Sequence, residues 1–130
     1  MKRLLPLCAL LLFVAAAEQR PGWLGFGFEY HPPVSPGDGW MYVRAVAPNS
    51  PAAKGGLKPR DVITQINGAP LRFAKDEEVL AGFAKVRPDE RVTFRFRRGT
   101  ATSDIVVIAV PMSDDMWRLW QQNHAPAKKP

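Results

Sequence analysis

Trp23-Leu24-Gly25-Phe26-Gly27-Phe28 is the stretch of this 130-residue chain whose residue types and spacing could do chemistry. Laid out as a strand, it puts the large apolar side chains of Leu24, Phe26 and Phe28 on one face. Gly25 and Gly27 occupy the other face, where backbone amides stay uncovered and another backbone can approach closely. Free N–H groups beside an apolar pocket suit one carboxylate and one greasy side chain, the two features of a chain terminus. Capture of a terminal carboxylate followed by strand addition is a recognised mode of peptide binding. The preceding Arg20-Pro21-Gly22 is turn-prone and carries one positive charge. A buried strand whose glycines only relieve crowding fits the same residues, and that alternative stays open at this point.

Other chemistries find little support. A nucleophile needs a base within hydrogen-bond reach and a third group to orient that base. The two histidines, His31 in a Pro-rich loop and His124 in the tail, stand in no nucleophile motif. Asp76-Glu77-Glu78 and Asp114-Asp115 could pass for catalytic carboxylates, but both sit where helix starts favour negative charge. Two histidines without a carboxylate cluster give no metal-ligand spacing, and no Gly-rich phosphate loop joins a strand to a helix. The residues imply neither cofactor nor metal, and the chain reads as a non-catalytic binder.

Residues 1–17 have the layout of a secretory signal peptide: the basic Met1-Lys2-Arg3, an apolar run from Leu4 to Val14, then Ala15-Ala16-Ala17 before Glu18. The apolar stretch is shorter than the ~20 residues a spanning helix needs. An uncleaved N-terminal anchor is the alternative. Cys8, the single cysteine, falls in this leader, so the mature chain has neither a disulfide nor a thiol nucleophile. Without Lys2 and Arg3 the chain keeps 16 basic against 12 acidic residues, a net charge of +4. That excess favours acidic partners through long-range steering and falls short of the dense basic clustering of a nucleic-acid binder.

The elements that must position Trp23–Phe28 follow from local pattern. Residues 31–39 form a Pro/Gly-rich connection, and Trp40 to Val46 reads as a strand. Ser50-Pro51 caps a short helix that Gly55-Gly56 ends. Asp61 to Ile66 is a strand, and Asn67-Gly68 is the strongest hairpin signal in the chain. From Lys75 to Val86 the period turns helical, with Val79, Leu80, Phe83 and Val86 on one stripe and Pro88 beyond the end. Arg91 to Arg98 alternates strictly, with Val92, Phe94 and Phe96 inward; Gly99 to Ser103 reads as a turn and Ile105 to Val110 as a buried strand. A capped helix with Met116, Trp117 and Trp120 on a stripe starts at Ser113, and Ala125 to Pro130 looks disordered.

This order resembles a PDZ domain, of the permuted bacterial kind found in HtrA/Deg and carboxyl-terminal processing proteases, over about residues 20–111. The most specific block is Asn49-Ser50-Pro51-Ala52-Ala53-Lys54-Gly55-Gly56-Leu57 running into Asp61-Val62-Ile63 and Ile66-Asn67-Gly68, with Trp23-Leu24-Gly25-Phe26 in the place of the carboxylate loop. Arg60 departs from the family's usual glycine, which puts that turn's geometry in doubt. The resemblance implies an α+β, mostly β fold: a partly open antiparallel barrel or sandwich of five to six strands with two helices, plus a C-terminal helix. The expected organisation is a signal peptide over 1–17, a PDZ-like domain over 18–112, an amphipathic helix over 113–124 and a tail over 125–130.

The resemblance further implies that the amides of Leu24, Gly25 and Phe26 hold a ligand carboxylate, assisted by Arg20. Leu24, Phe26 and Phe28 would line the pocket for the last side chain, and the backbone of Phe26, Gly27, Phe28 and Glu29 would pair with the ligand strand. The helix from Lys75 supplies the other wall in one of two registers, Glu78, Gly82 and Lys85 or Val79, Phe83 and Val86. Periodicity favours burying the apolar set against the sheet. A valine at Gly25 is expected to spare the core while obstructing the ligand.

The implied function is an exported, periplasmic or secreted peptide-binding module for protein C-termini with an apolar last residue, with a periplasmic protease or an envelope protein as candidate partner. Nucleic acid is not implied, nor is a stable membrane span after cleavage. Two alternatives remain: a structural or partner-docking domain acting through the tryptophan helix, and a regulatory accessory of a separate periplasmic protease. N-terminal sequencing of the exported product is expected to begin at Glu18. A membrane-bound product that retains Met1–Ala17 would refute the cleavage.

Overall fold

The computed structural model describes residues 20–124; the expected signal peptide over 1–17 and the expected tail over 125–130 lie outside them. Strand β1 (Gly22–Trp23) leads into β2 (Phe26–His31) and β3 (Trp40–Val46), followed by helix α1 (Pro51–Gly55). The hairpin β4 (Val62–Ile66) and β5 (Ala69–Pro70) precedes α2 (Asp76–Ala84). Strands β6 (Arg91–Arg98), β7 (Ala101–Ile108) and β8 (Val110–Pro111) end at α3 (Asp114–His124). The main sheet is antiparallel in the order β2-β3-β4-β6-β7, with β5 paired to β4, while β1 pairs with β8 in a separate ribbon. The result is mostly β and partly open: β2 and β7 are sheet edges that do not join each other.

Local chemistry explains the turns. Ser50 is buried and its hydroxyl accepts from the Ala53 amide at 3.1 Å, capping α1. Gly56 closes that helix at φ +103. Arg60, the residue in place of the usual glycine, takes the left-handed conformation itself at φ +79 and donates its amide to the Val43 carbonyl at 2.8 Å. The turn therefore keeps its shape, at a backbone cost of about 1 kcal/mol. The carboxylate of buried Asp61 accepts the Lys58 amide and the Nε and Nη2 groups of Arg98, the latter two at 2.8 and 2.7 Å, which ties the α1–β4 turn to the end of β6.

One strand differs from expectation. The turn after β6 is confined to Gly99-Thr100, and Ala101, Thr102 and Ser103, expected in that turn, belong with Asp104 to β7. All eight β6 residues have partners, from Arg91 opposite Ile108 to Arg98 opposite Ala101. The first half of β7 is polar and exposed, so it carries no apolar alternation to betray it; the Arg95–Asp104 pair at 2.9 Å and the backbone ladder hold it.

The core lies between the inner sheet face and α1 and α2. Met41, Val43, Ile63, Val92, Phe94 and Val107 are essentially inaccessible. Phe94 meets Phe26 edge-on at 5.5 Å, so the core continues without a break into the side chains of β2. Phe94→Ala is expected to lower unfolding free energy by about 3–5 kcal/mol, the loss for emptying a buried aromatic site. Phe28→Ala, at a half-buried position, should lower it distinctly less. Denaturant titration of both variants checks the order.

Candidate functional site

The Leu24–Gly25 turn is held from behind. The Leu24 carbonyl accepts from the Ala52 amide at 2.9 Å and the Gly25 carbonyl from the Ala47 amide at 2.8 Å. In a planar trans peptide the N–H points opposite to the C=O. The amides of Gly25 and Phe26 are therefore turned away from α1 and β3. Gly25 makes this possible with φ +88.

Beyond the turn, β2 bonds to β3 along one side only, and its other edge ends the sheet among the described residues. A half-open slot of about 220 Å³ lies here, floored by Leu24, Phe26 and Phe28. Leu80, Phe83 and Ala84 of α2 form its facing wall. Phe83 stands 6.1 Å edge-on to Phe26 and 5.5 Å from Phe28, so aromatic contacts set the spacing between helix and strand. At the far end, the Tyr30 hydroxyl donates to the Phe73 carbonyl at 2.7 Å and anchors the segment leading into α2. Burial, with a smaller push from nearby Glu78 and Asp76, raises the Tyr30 phenol and keeps it protonated as the donor this bond needs.

The residues expected at the site divide. Leu24, Gly25, Phe26, Phe28 and Phe83 are brought together around the slot. Gly27 and Glu29 belong to β2, but their side positions face the outer surface. There Glu29 contacts Arg44 and His31, and His31 stacks on Trp40 at 3.8 Å. Glu78 is a helix cap: its carboxylate accepts the Ala74 and Lys75 amides at 3.0 and 3.2 Å. Val79 and Val86 are buried in the core, and Gly82 lines a separate cavity of about 210 Å³ on the other side of α2, beside Ile66, Leu71 and Phe73. Neither register of the helix wall is therefore the observed one. Leu80 and Ala84 face the slot with Phe83, because Val79 claims the core and its neighbour lies about 100° further round the helix.

Arg20 also differs from its expected role. Its guanidinium donates to Asp114 Oδ1 at 2.8 Å and to the Met112 carbonyl at 3.2 Å, and lies 5.7 Å from the Trp117 ring centroid. It fastens the start of α3 to the segment that leads into the slot. Met112 and Trp120 in turn line the slot, a contribution that the sequence signalled only through the Trp117/Trp120 spacing. Among the described residues no group of three or more His, Cys, Asp and Glu could hold a metal, and no helix is long and apolar enough to cross a membrane.

Gly25 has a second duty. A Cβ there would stand 2.7 Å from Ser50 Oγ and closer still to Ser50 Cβ, so a valine would strike the α1 cap instead of sparing the fold. Gly25→Ala is expected to destabilise by about 2 kcal/mol or more, from the left-handed backbone plus this collision. Gly27→Ala meets nothing within 4 Å and should stay within about 0.5 kcal/mol of the parent. Chemical denaturation of the pair tests whether the first glycine, and not the second, is structural.

Comparison with known proteins agrees with this architecture. Residues 42–98 match the family model described as PDZ domain. The magnetosome formation protease MamE of Magnetospirillum gryphiswaldense is 34% identical over 71 residues, 55% of this chain and 9% of that protein. The Na(+)/H(+) exchange regulatory cofactor NHE-RF2 of Oryctolagus cuniculus is 39% identical over 72 residues, 55% of this chain and 22% of that one. The chain thus spans less than a quarter of the length of either relative. Among solved structures, the HtrA3 PDZ domain bound to a phage-derived ligand (FGRWV) superposes with a TM-score of 0.53 at 26% identity, covering 68% of this chain and 84% of that one.

Proposed function

The chain carries a PDZ domain, and on that premise we propose that it is a non-catalytic, exported module that binds protein C-termini with an apolar last residue. One observation carries the reading: β2 presents an unpaired edge beside an apolar slot whose closed end is the Gly25 turn. A ligand strand added to β2 would lie between it and α2, with its carboxylate at the Gly25 and Phe26 amides and its last side chain over Leu24, Phe26 and Phe83. The Leu24 amide would complete the cradle. A HtrA3 PDZ domain of similar fold is bound to a peptide, which supports this placement.

The non-catalytic part rests on the surroundings of His31, which is stacked on Trp40 and faces Glu29 at 3.2 Å on the outer face of the sheet, away from the slot. Its neighbours among the described residues are the Trp40 ring and the Glu29 carboxylate. The exported location rests on the leader-like residues 1–17. The proposed organisation is that leader, the PDZ domain over 18–112, the C-terminal helix over 113–124 and a tail; partners of periplasmic or envelope origin follow from it.

Peptides with a free C-terminal carboxylate and an apolar last residue are expected to bind with roughly micromolar Kd, since strand addition in a groove of this size buries little surface. Amidation of the same peptide should weaken binding at least about tenfold, because the charge-assisted bonds to the loop amides are lost. Fluorescence anisotropy with the two forms of one peptide decides it. Equal affinity would mean that the slot reads internal segments or nothing.

A further inference from the structure

We propose that α3 completes the peptide pocket as a third wall, and that Trp120 and Met112 select a large, preferentially aromatic, last side chain. This deepens the peptide-binding reading and rests on it. The slot is lined not only by the β2 and α2 side chains but also by Met112, just past β8, and by Trp120, nearly two turns into α3. The helix is fastened in place rather than lying loose. Arg20 donates to Asp114 at 2.8 Å and to the Met112 carbonyl, and lies over Trp117, which stacks on Trp120 at 5.2 Å with the rings 13° from parallel. The chain of contact thus runs from the segment entering the carboxylate turn, through the Arg20 guanidinium, to the indole in the pocket. Arg20 and Asp114 are positioning residues, and the indole is the surface the ligand meets.

With α3 docked the slot still holds about 220 Å³ of free space, so the helix walls the pocket without filling it. An apolar cavity of ~150 Å³ accommodates benzene, so a phenyl or indole group has room. Among the described residues no charged side chain lines the space. The inner faces of Phe26, Phe28, Phe83 and Trp120 leave an incoming ring aromatic partners on several sides, the setting in which edge-on and offset contacts add to plain burial. A small last residue would leave this volume unfilled and forgo those contacts.

The test uses the full chain and three peptides that differ only in a C-terminal Phe, Leu or Ala, each with a free carboxylate, titrated by calorimetry. The parent protein is expected to prefer the Phe-ended over the Ala-ended peptide by about tenfold. Trp120→Ala should shrink that ratio to about twofold through weaker Phe-ended binding, with the Ala-ended peptide nearly unaffected. Trp120→Phe should restore most of the ratio. Asp114→Asn, a fully surface change that loosens α3 without touching the pocket, should move the ratio in the same direction by less. An unchanged ratio in Trp120→Ala would overturn the third wall while leaving peptide binding intact. Tighter binding of all three peptides to Trp120→Ala would overturn it in favour of an obstructing helix. Failure of the parent protein to bind any of them would remove the peptide-binding reading itself.

Discussion

The left-handed turn at Gly25 is the constraint on which the rest of this structure depends. Its peptide planes are fixed by two hydrogen bonds from behind, from Ala47 and Ala52, and its Cα is pressed against Ser50, the cap of α1. The same contacts that seat α1 therefore orient the Gly25 and Phe26 amides. They also set where β2 begins and which of its edges is left unpaired. Any side chain at this position is caught between a backbone conformation it resists and a cap it strikes. Site geometry and fold stability are here one interaction, and a mutation at Gly25 cannot separate them.

From that turn outward the connection runs through rings. Phe94 belongs to the core, Phe26 touches it edge-on, and Phe83 touches both Phe26 and Phe28 from α2. Close-packed interiors transmit displacement because they have little free volume to absorb it. The width of the slot is accordingly set by three side-chain contacts that reach back into the sheet. Phe83 also borders the second cavity, of about 210 Å³, on the far side of α2, so the helix has free space of similar size on both sides.

Much of this was legible in the sequence, and the parts that were not share a physical cause. Ser50-Pro51, Gly55-Gly56 and Asn67-Gly68 state their own geometry, because caps and turns are decided by adjacent residues. The alternation of β6 likewise announces its inward face. The helix wall did not: Val79 and Leu80 are both large and apolar, and only the sheet beneath decides that the first is buried while the second stands half exposed. Glu78 reads equally well as a groove residue or a cap until Ala74 and Lys75 are seen to need an acceptor. The role expected for Arg20 came from the family resemblance, whereas its partner Asp114 comes from 94 residues away. Long-range pairing is what a local pattern cannot carry.

The two sheet edges are treated differently, and this asymmetry bears on the function. At β7, α1 closes in until a Cβ on Gly55 would stand 3.2 Å from the Val106 carbonyl oxygen, so that edge is shielded by the backbone of a helix. At β2, α2 meets the strand through the Phe83 contacts to Phe26 and Phe28, and a slot of about 220 Å³ lies beside the edge. An open edge is an aggregation hazard that folds ordinarily cover, twist away or charge. Glu29 of β2 pairs with Arg44 of β3 on the outer face of the sheet, with His31 beside it, which leaves the hydrogen-bonding edge of β2 itself uncovered. The approach to that edge is narrowed instead by α2 on one side and by α3, fastened through Arg20, at the carboxylate end. The fold thus leaves the β2 edge unpaired among the described residues and borders it with two helices.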